Sequence, residues 1–176
     1  MQFVLFLRGI NVGGKQVKME TLKKVLEQKG FKNVKTLLAS GNVIFESERL
    51  NEKELRIKIK KILEETFLFS IQCIVLSSKK VKDIYTKNPF KNISPKSEIK
   101  FYISLFQEKP KIKINLPFEM EGFSILSASG NCVYSVVTLS KNFGTVDAME
   151  ILEKEFGKDI TTRNWNTIEK MYSLLA

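Results

Sequence analysis

Histidine is absent from the 176 residues of this chain, and with it go the commonest general base near neutral pH and the commonest metal ligand. Ser-His-Asp and Cys-His catalysis and histidine-bound zinc are therefore excluded. Only two cysteines occur, Cys73 and Cys132, each alone in an apolar run (IQCIVL and GNCVYSVV). Two thiols cannot close a four-ligand zinc site, and without a C-x-x-C spacing they read as small buried hydrophobes in a reducing compartment. No metal or cofactor is expected. No apolar run approaches the roughly 20 residues that span a bilayer, so no membrane contact is expected. The segment MQFVLFLRGINVGG carries neither a basic leader nor a small-residue cleavage site, so a cytoplasmic location is expected. No carboxylate pair stands out for acid-base work. Whether the chain is an enzyme is therefore open.

What is present is an ordinary globular mixture, 43% hydrophobic and 27% charged, in a chain long enough to remove about 70% of its unfolded surface from water. The net charge of +10 is uneven. Residues 1–88 hold 18 basic and 9 acidic side chains, a net of +9, against 11 and 10, a net of +1, in residues 89–176. A basic half has two readings. One is a nucleic-acid surface in which Lys23, Lys24, Lys53, Arg56, Lys60 and Lys61 meet phosphates; the other is solvated helix face, because nearly all these cations are lysines, poorer than arginine at bidentate recognition.

The run QFVLFL (2–7) reads as a buried strand and RGINVGGK (8–15) as a glycine-rich turn. A helix follows over 18–29, with Met19, Leu22, Val25 and Leu26 on one face and Gly30 as stop. Residues 34–47 form two apolar-alternating runs about Ser40-Gly41-Asn42, a hairpin in which Gly and Asn take the turn's positive φ. A second helix spans about 51–66, with Leu55, Ile59, Ile62 and Leu63 inward, and SIQCIVL (70–76) is the closing strand. Strand, helix, strand, strand, helix, strand is the split βαβ order of ferredoxin-like folds.

The second half repeats part of this pattern. LASGNVIF (38–45) and SASGNCVY (127–134) match at an offset of 89 residues, which predicts a helix over 146–156, with Val146, Met149, Leu152 and Phe156 inward, and a strand over 159–163. KFYISLF (100–106) is the counterpart of the first strand. The crossover helix has none, since KPKIKINLPFEMEG (109–122) has two prolines and no helical period. The fold class expected is α+β: one ferredoxin-like unit over 1–76, a connecting helix and linker over 77–98, and a second, abbreviated unit over 99–176 with a C-terminal helix. That last helix is expected to start with a capping box of Asn166 and Glu169 and to bury a stripe of Ile168, Met171, Tyr172 and Leu175.

Three segments carry candidate chemistry. Gly9-Ile10-Asn11-Val12-Gly13-Gly14-Lys15 satisfies G-x-x-x-x-G-K after a strand, but Gln16 stands where a P-loop needs Ser or Thr for Mg²⁺. What remains is either a purely structural turn or an anion-accepting one built from Arg8, the Gly13 and Gly14 amides and Lys15, with Asn11 as an orienting group. Ser40-Gly41-Asn42 is a hairpin turn whose Asn42 is a second orienting group. Arg163-Asn164-Trp165-Asn166 reads either as core and helix cap or as a ligand wall, with Arg163 on an anion and Trp165 stacked on a ring. Phe101, Tyr102 and Phe106 sit where an RNA-binding sheet would show aromatics, but the RNP signature is absent.

These three motifs, LRGINVGGK, SGNVIF and TRNWNT, resemble the bacterial family known as domain of unknown function 1697, over residues 3 to about 172. The resemblance implies a cytoplasmic α+β protein with two related halves and no particular reaction. It also implies that Arg8, Gly9, Asn11, Gly13, Gly14, Lys15, Ser40, Gly41, Asn42 and Arg163 to Thr167 are the family's motif positions, and suggests that the first loop and the closing segment share a site. The expected ligand is an anionic small molecule or nucleotide-type compound; the alternatives are a nucleic-acid-binding protein using the basic first half, or an enzyme that holds a phosphorylated substrate at the loop, and oligomeric state is open.

Overall fold

The computed structural model describes residues 1–48 and 51–175; Arg49, counted in the charge above, lies outside them. The chain divides into two compact units, Met1–Val81 with the last residues from Ser173, and Lys82–Tyr172. It is α+β, with two antiparallel sheets.

The first unit contains β1 (Gln2–Arg8), α1 (Met19–Gln28), β2 (Lys32–Leu37), β3 (Asn42–Glu46), α2 (Glu52–Phe67) and β4 (Gln72–Ser77). Its sheet runs β2-β3-β1-β4, so the most apolar strand lies in the middle. Phe3, Leu5 and Leu7 of β1 pack with Leu22 and Leu26 of α1 and Leu55, Ile59 and Leu63 of α2. Val4 and Phe6, on the opposite face, are also buried, as are Ile44, Ile74 and Leu76. Burial on both faces is why QFVLFL reads as a continuous run rather than an alternation. Helix α2 is fixed at its start by a reciprocal cap: Glu54 N donates to Asn51 Oδ1 and Asn51 N to Glu54 Oε2, both at 3.0 Å.

The hairpin differs from expectation by one position. Leu37 pairs with Asn42, so the turn is Leu38–Gly41, and its left-handed residues are Leu38 (φ 61°) and Gly41 (φ 75°). Asn42 belongs to β3 and is fully buried. Gly41 is required twice over, by its φ and by space: a Cβ there would lie 2.7 Å from both Leu7 Cβ and Ile10 Cδ1.

Helix α3 (Ser78–Lys87), at whose start Lys80 N donates to Ser77 Oγ at 3.4 Å, leads to β5 (Ile99–Phe106), β6 (Phe118–Met120), β7 (Phe123–Ser129), β8 (Cys132–Thr138), α4 (Thr145–Phe156), β9 (Ile160–Asn164) and α5 (Trp165–Leu174). The second sheet runs β6-β7-β8-β5-β9. With β6 set aside, its order matches the first sheet strand for strand. No helix occupies 107–117; an extended strap runs there instead, placing Ile112, Ile114 and Leu116 against a core of Phe106, Phe123, Ile125, Val133, Val137, Ala148 and Leu152.

Two helix expectations are corrected. Val146 is 71% exposed, because α4 turns Ala148 and Leu152 into the core and Val146 falls off that stripe. Helix α5 begins at Trp165 directly from β9, so its cap is Asn164, whose Oδ1 accepts from Asn166 N at 3.0 Å, and Asn166 lies inside the helix. Ile168 and Met171 are buried as expected, while Tyr172 is half-exposed and stacks on Tyr85.

Gly41→Ala should lower the unfolding free energy by about 2–4 kcal/mol, left-handed strain adding to overpacking. Gly30→Ala, with positive φ but open space, should cost less in the same urea titration. Equal costs would show that the Leu7–Ile10 contact is slack.

Candidate functional site

The chain leaves β1 at Arg8, whose backbone pairs with Gln72, and turns left-handed at Gly9 (φ 68°) before burying Ile10. Asn11 N donates to Lys15 O at 2.6 Å and Lys15 N to Val12 O at 3.1 Å. These bonds close a tight loop with Gly13 (φ 56°) and Gly14 (φ 80°) at its tip. The Asn11 side chain ties this loop to two other segments. Its Nδ2 donates to Ala39 O at 2.7 Å in the hairpin turn, and its Oδ1 accepts from Val17 N at 2.9 Å ahead of α1. Leu7 N donates to Gly41 O at 2.8 Å alongside. Loop and hairpin are therefore one body.

Asn11 and Asn42 thus spend their amides on the protein. Asn42 Nδ2 donates to Leu37 O and Ser40 Oγ, each at 3.0 Å, so both residues orient backbone. The tip is different. Gly13, Gly14 and Lys15 are exposed, and among the described residues no acceptor takes the two glycine amides and no carboxylate pairs with Lys15. The Lys15 ammonium lies 5.8 Å from the centre of the Phe69 ring, which holds the cation beside the tip without neutralising it. Successive turn amides beside an ammonium are donors of the kind that hold an oxyanion. The geometry is not that of a P-loop, because α1 begins at Met19, four residues past Lys15.

The closing segment lies in the second unit. Arg163, on β9 opposite Ile103, is 8% exposed and donates from Nη1 to Thr161 Oγ1 at 2.7 Å and Thr162 O at 3.0 Å. Burial pulls its pKa down to about 10, which leaves it a cation at neutral pH. Trp165 is buried beside Tyr85, Phe90 and Tyr134, at ring-centre distances of 5.8, 5.2 and 6.3 Å. Phe101 stacks on Phe90 at 4.7 Å, Phe106 is buried, and the Tyr102 hydroxyl meets Thr145 Oγ1 at 3.1 Å. All three candidate RNA-facing aromatics are engaged in packing or hydrogen bonds within their own unit.

Of the six cations offered to nucleic acid, four have a glutamate one helical turn away: Lys24 with Glu20 at 2.8 Å, Lys23 with Glu27 at 3.8 Å, Lys60 with Glu64 at 4.0 Å and Lys61 with Glu65 at 3.9 Å. Arg56 is part-buried, and its Nε donates to Cys73 O at 2.8 Å. Such exposed pairs are weak, about 0.3–0.5 kcal/mol, but their carboxylates offset part of the local positive charge. Among the described residues no cluster of three acidic or thiol side chains is placed to hold a metal, and no helix is long and apolar enough to cross a membrane.

Two cavities in the second unit escaped the sequence reading. One of about 610 Å³ is lined by Ile112, Ile114, Leu116, Ala128, Ser129 and Gly130, with Lys109, Pro110 and Asn115. Another of about 430 Å³ is lined by Phe106, Lys111, Lys113, Lys154, Glu155 and Phe156, with Pro110 and Gly157. A signal existed: in KPKIKINLP, lysines alternate with Pro110, Ile112 and Ile114, the pattern of an extended strap with one wet and one packed side.

Asn11→Ala should destabilise the fold by about 1–3 kcal/mol, since the Val17 amide and Ala39 carbonyl lose their partner; native-state hydrogen exchange should show faster exchange at Val17, and unchanged protection there would contradict this role. Cys73 and Cys132 are buried, and burial pushes the Cys132 thiol from its ordinary 9.0 up to about 11. Below pH 9 the thiol is protonated folded or unfolded, and stability from this source is complete; as pH rises toward 11 the unfolded chain releases the proton first and stability falls. Cys132→Ala should therefore flatten the stability profile between those pH values, as read by chemical denaturation.

No curated protein matches the chain. The conserved bacterial protein SP0830 from Streptococcus pneumoniae is similar in fold, 21% identical, with a TM-score of 0.74 over 99% of this chain and 98% of that one. A family signature covers residues 1–134, taking in the glycine-rich loop and both Ser-Gly-Asn strings but stopping short of Arg163. On that match the chain belongs to the family described as protein of unknown function (DUF1697).

Proposed function

We propose that this protein binds an anionic small molecule, a phosphate-bearing or nucleotide-type compound, at the loop after β1. The observation that carries this reading is the pair of exposed Gly13 and Gly14 amides, without acceptors among the described residues, beside the Lys15 ammonium. Asn11 holds the loop in that shape before any ligand arrives, which removes an ordering cost from binding. Arg8, where β1 ends, adds charge at the loop's base. Ser40 is exposed in the adjoining hairpin turn, where its Oγ accepts from Asn42 Nδ2. We assign no reaction, since the loop brings no general base with it. We also read the two sheets as copies of one ferredoxin-like unit, a reading supported by their shared strand order, and assign the protein to the cytoplasm, in keeping with two buried cysteines that form no disulfide.

Titrating the ¹⁵N-labelled protein with inorganic phosphate and with a mononucleotide should move the Gly13 and Gly14 amide resonances before any others in the first unit. Lys15→Ala should weaken binding about tenfold, as loss of one charged hydrogen bond does. If those amides stay fixed at high phosphate, while an oligonucleotide binds with steep salt dependence through α1 and α2, the nucleic-acid alternative replaces this reading.

A further inference from the structure

The second sheet repeats the strand order of the first but lacks the helix that α1 supplies there, and the strap over 107–117 lies where the crossover runs. A strap fills less volume than a helix. The cavity of about 430 Å³ between the strap and the end of α4 is of ligand size, and its charges do not balance. Lys111 and Lys113 come from the strap and Lys154 from the last turn of α4. Among the described residues none of the three has an ion-pair partner. One carboxylate, Glu155, shares the cavity, and its Oε1 is buried without a hydrogen-bond donor. Three ammonium groups against one carboxylate leave a surplus of two positive charges, which a phosphate monoester, at about −1.5 to −2 near pH 7, would neutralise.

The orphan oxygen narrows the ligand further. A buried acceptor left unmet is costly, the more so when charged, so a bound molecule that brings a donor recovers that cost. A ligand ammonium is disfavoured beside three lysines, whereas a hydroxyl is not. Phe106 and Phe156, edge to face with ring centres 5.6 Å apart, line the same cavity and offer an apolar wall to C–H groups. We propose that this cavity is a site for a small phosphorylated polyhydroxy compound, with the phosphate held by Lys111, Lys113 and Lys154 and a hydroxyl donating to Glu155 Oε1. The site is independent of the loop after β1.

Ribose 5-phosphate is a suitable probe, with ribose and inorganic phosphate as its two halves, each titrated by calorimetry and by ¹⁵N resonances against the full chain. Ribose 5-phosphate should move the amides of residues 111–113 and 154–157 and bind more tightly than either half. Lys111→Ala with Lys113→Ala should weaken it about a hundredfold at an unchanged thermal midpoint, each lost charged hydrogen bond being worth about tenfold. Glu155→Gln should weaken ribose 5-phosphate severalfold and leave inorganic phosphate equal or tighter, a split that a merely structural role would not give. Lys15→Ala should leave the shifts at 111–113 and 154–157 and their ligand dependence intact while weakening those at Gly13 and Gly14, so failure here and failure at the first loop are told apart. Fixed resonances at 111–113, binding indifferent to the double lysine variant, or equal losses for both phosphates in Glu155→Gln would each overturn the assignment.

Discussion

The carboxamide of Asn11 is the contact on which the candidate site depends. A glycine-rich loop is entropically costly to order, since each glycine surrenders more backbone freedom than any other residue, and Gly9, Gly13 and Gly14 all lie at positive φ. One side chain offsets that cost by binding a carbonyl in the β2–β3 turn and a backbone amide ahead of α1. The turn is in turn fixed by Gly41, which only a residue without a Cβ could place against Leu7 and Ile10. Sequence-distant parts of one apolar sheet thus converge on the loop, and its tip is left with amides that the protein itself does not use.

The two sheets show what becomes of one strand order when a single element changes. In the first, α1 and α2 together cover a face of the sheet, and Leu22 and Leu26 complete a closed core. In the second, α4 is present but the other helix is replaced by a strap whose isoleucines reach the core while its lysines do not. Packing between helices leaves little room, because interiors are close-packed; an extended segment beside a helix leaves cavities on both of its sides. The missing helix is therefore a source of space rather than only a loss of stability.

Most of the fold was legible in the sequence because its signals are periodic or continuous. The run of β1, the stripes of α1 and α2, and the missing helical period over 109–122 each correspond to an element, or its absence, in the structure. Val146 was misassigned because a three-and-four spacing fits two neighbouring stripes, and the choice between them is made by the core that takes in Ala148 and Leu152. Asn42 was misplaced because a Ser-Gly-Asn string reads as a turn wherever the register happens to fall. The site was less legible. Asn11 binds a carbonyl 28 residues away, which no local pattern encodes, and the lysine cavity depends on volume left empty. Trp165, by contrast, is buried among aromatic rings, in line with the large apolar area an indole brings to a core.

The central claim is that the tip of the first loop is a preformed oxyanion acceptor. Crystals soaked in selenate and measured at the selenium edge test it most directly, because the anion is located without reference to any assumed ligand. The account predicts an anomalous peak within hydrogen-bond distance of the Gly13 and Gly14 nitrogens, with the loop backbone unmoved. An ordered, lattice-free loop with no peak, in crystals where selenate occupies other sites, would contradict it.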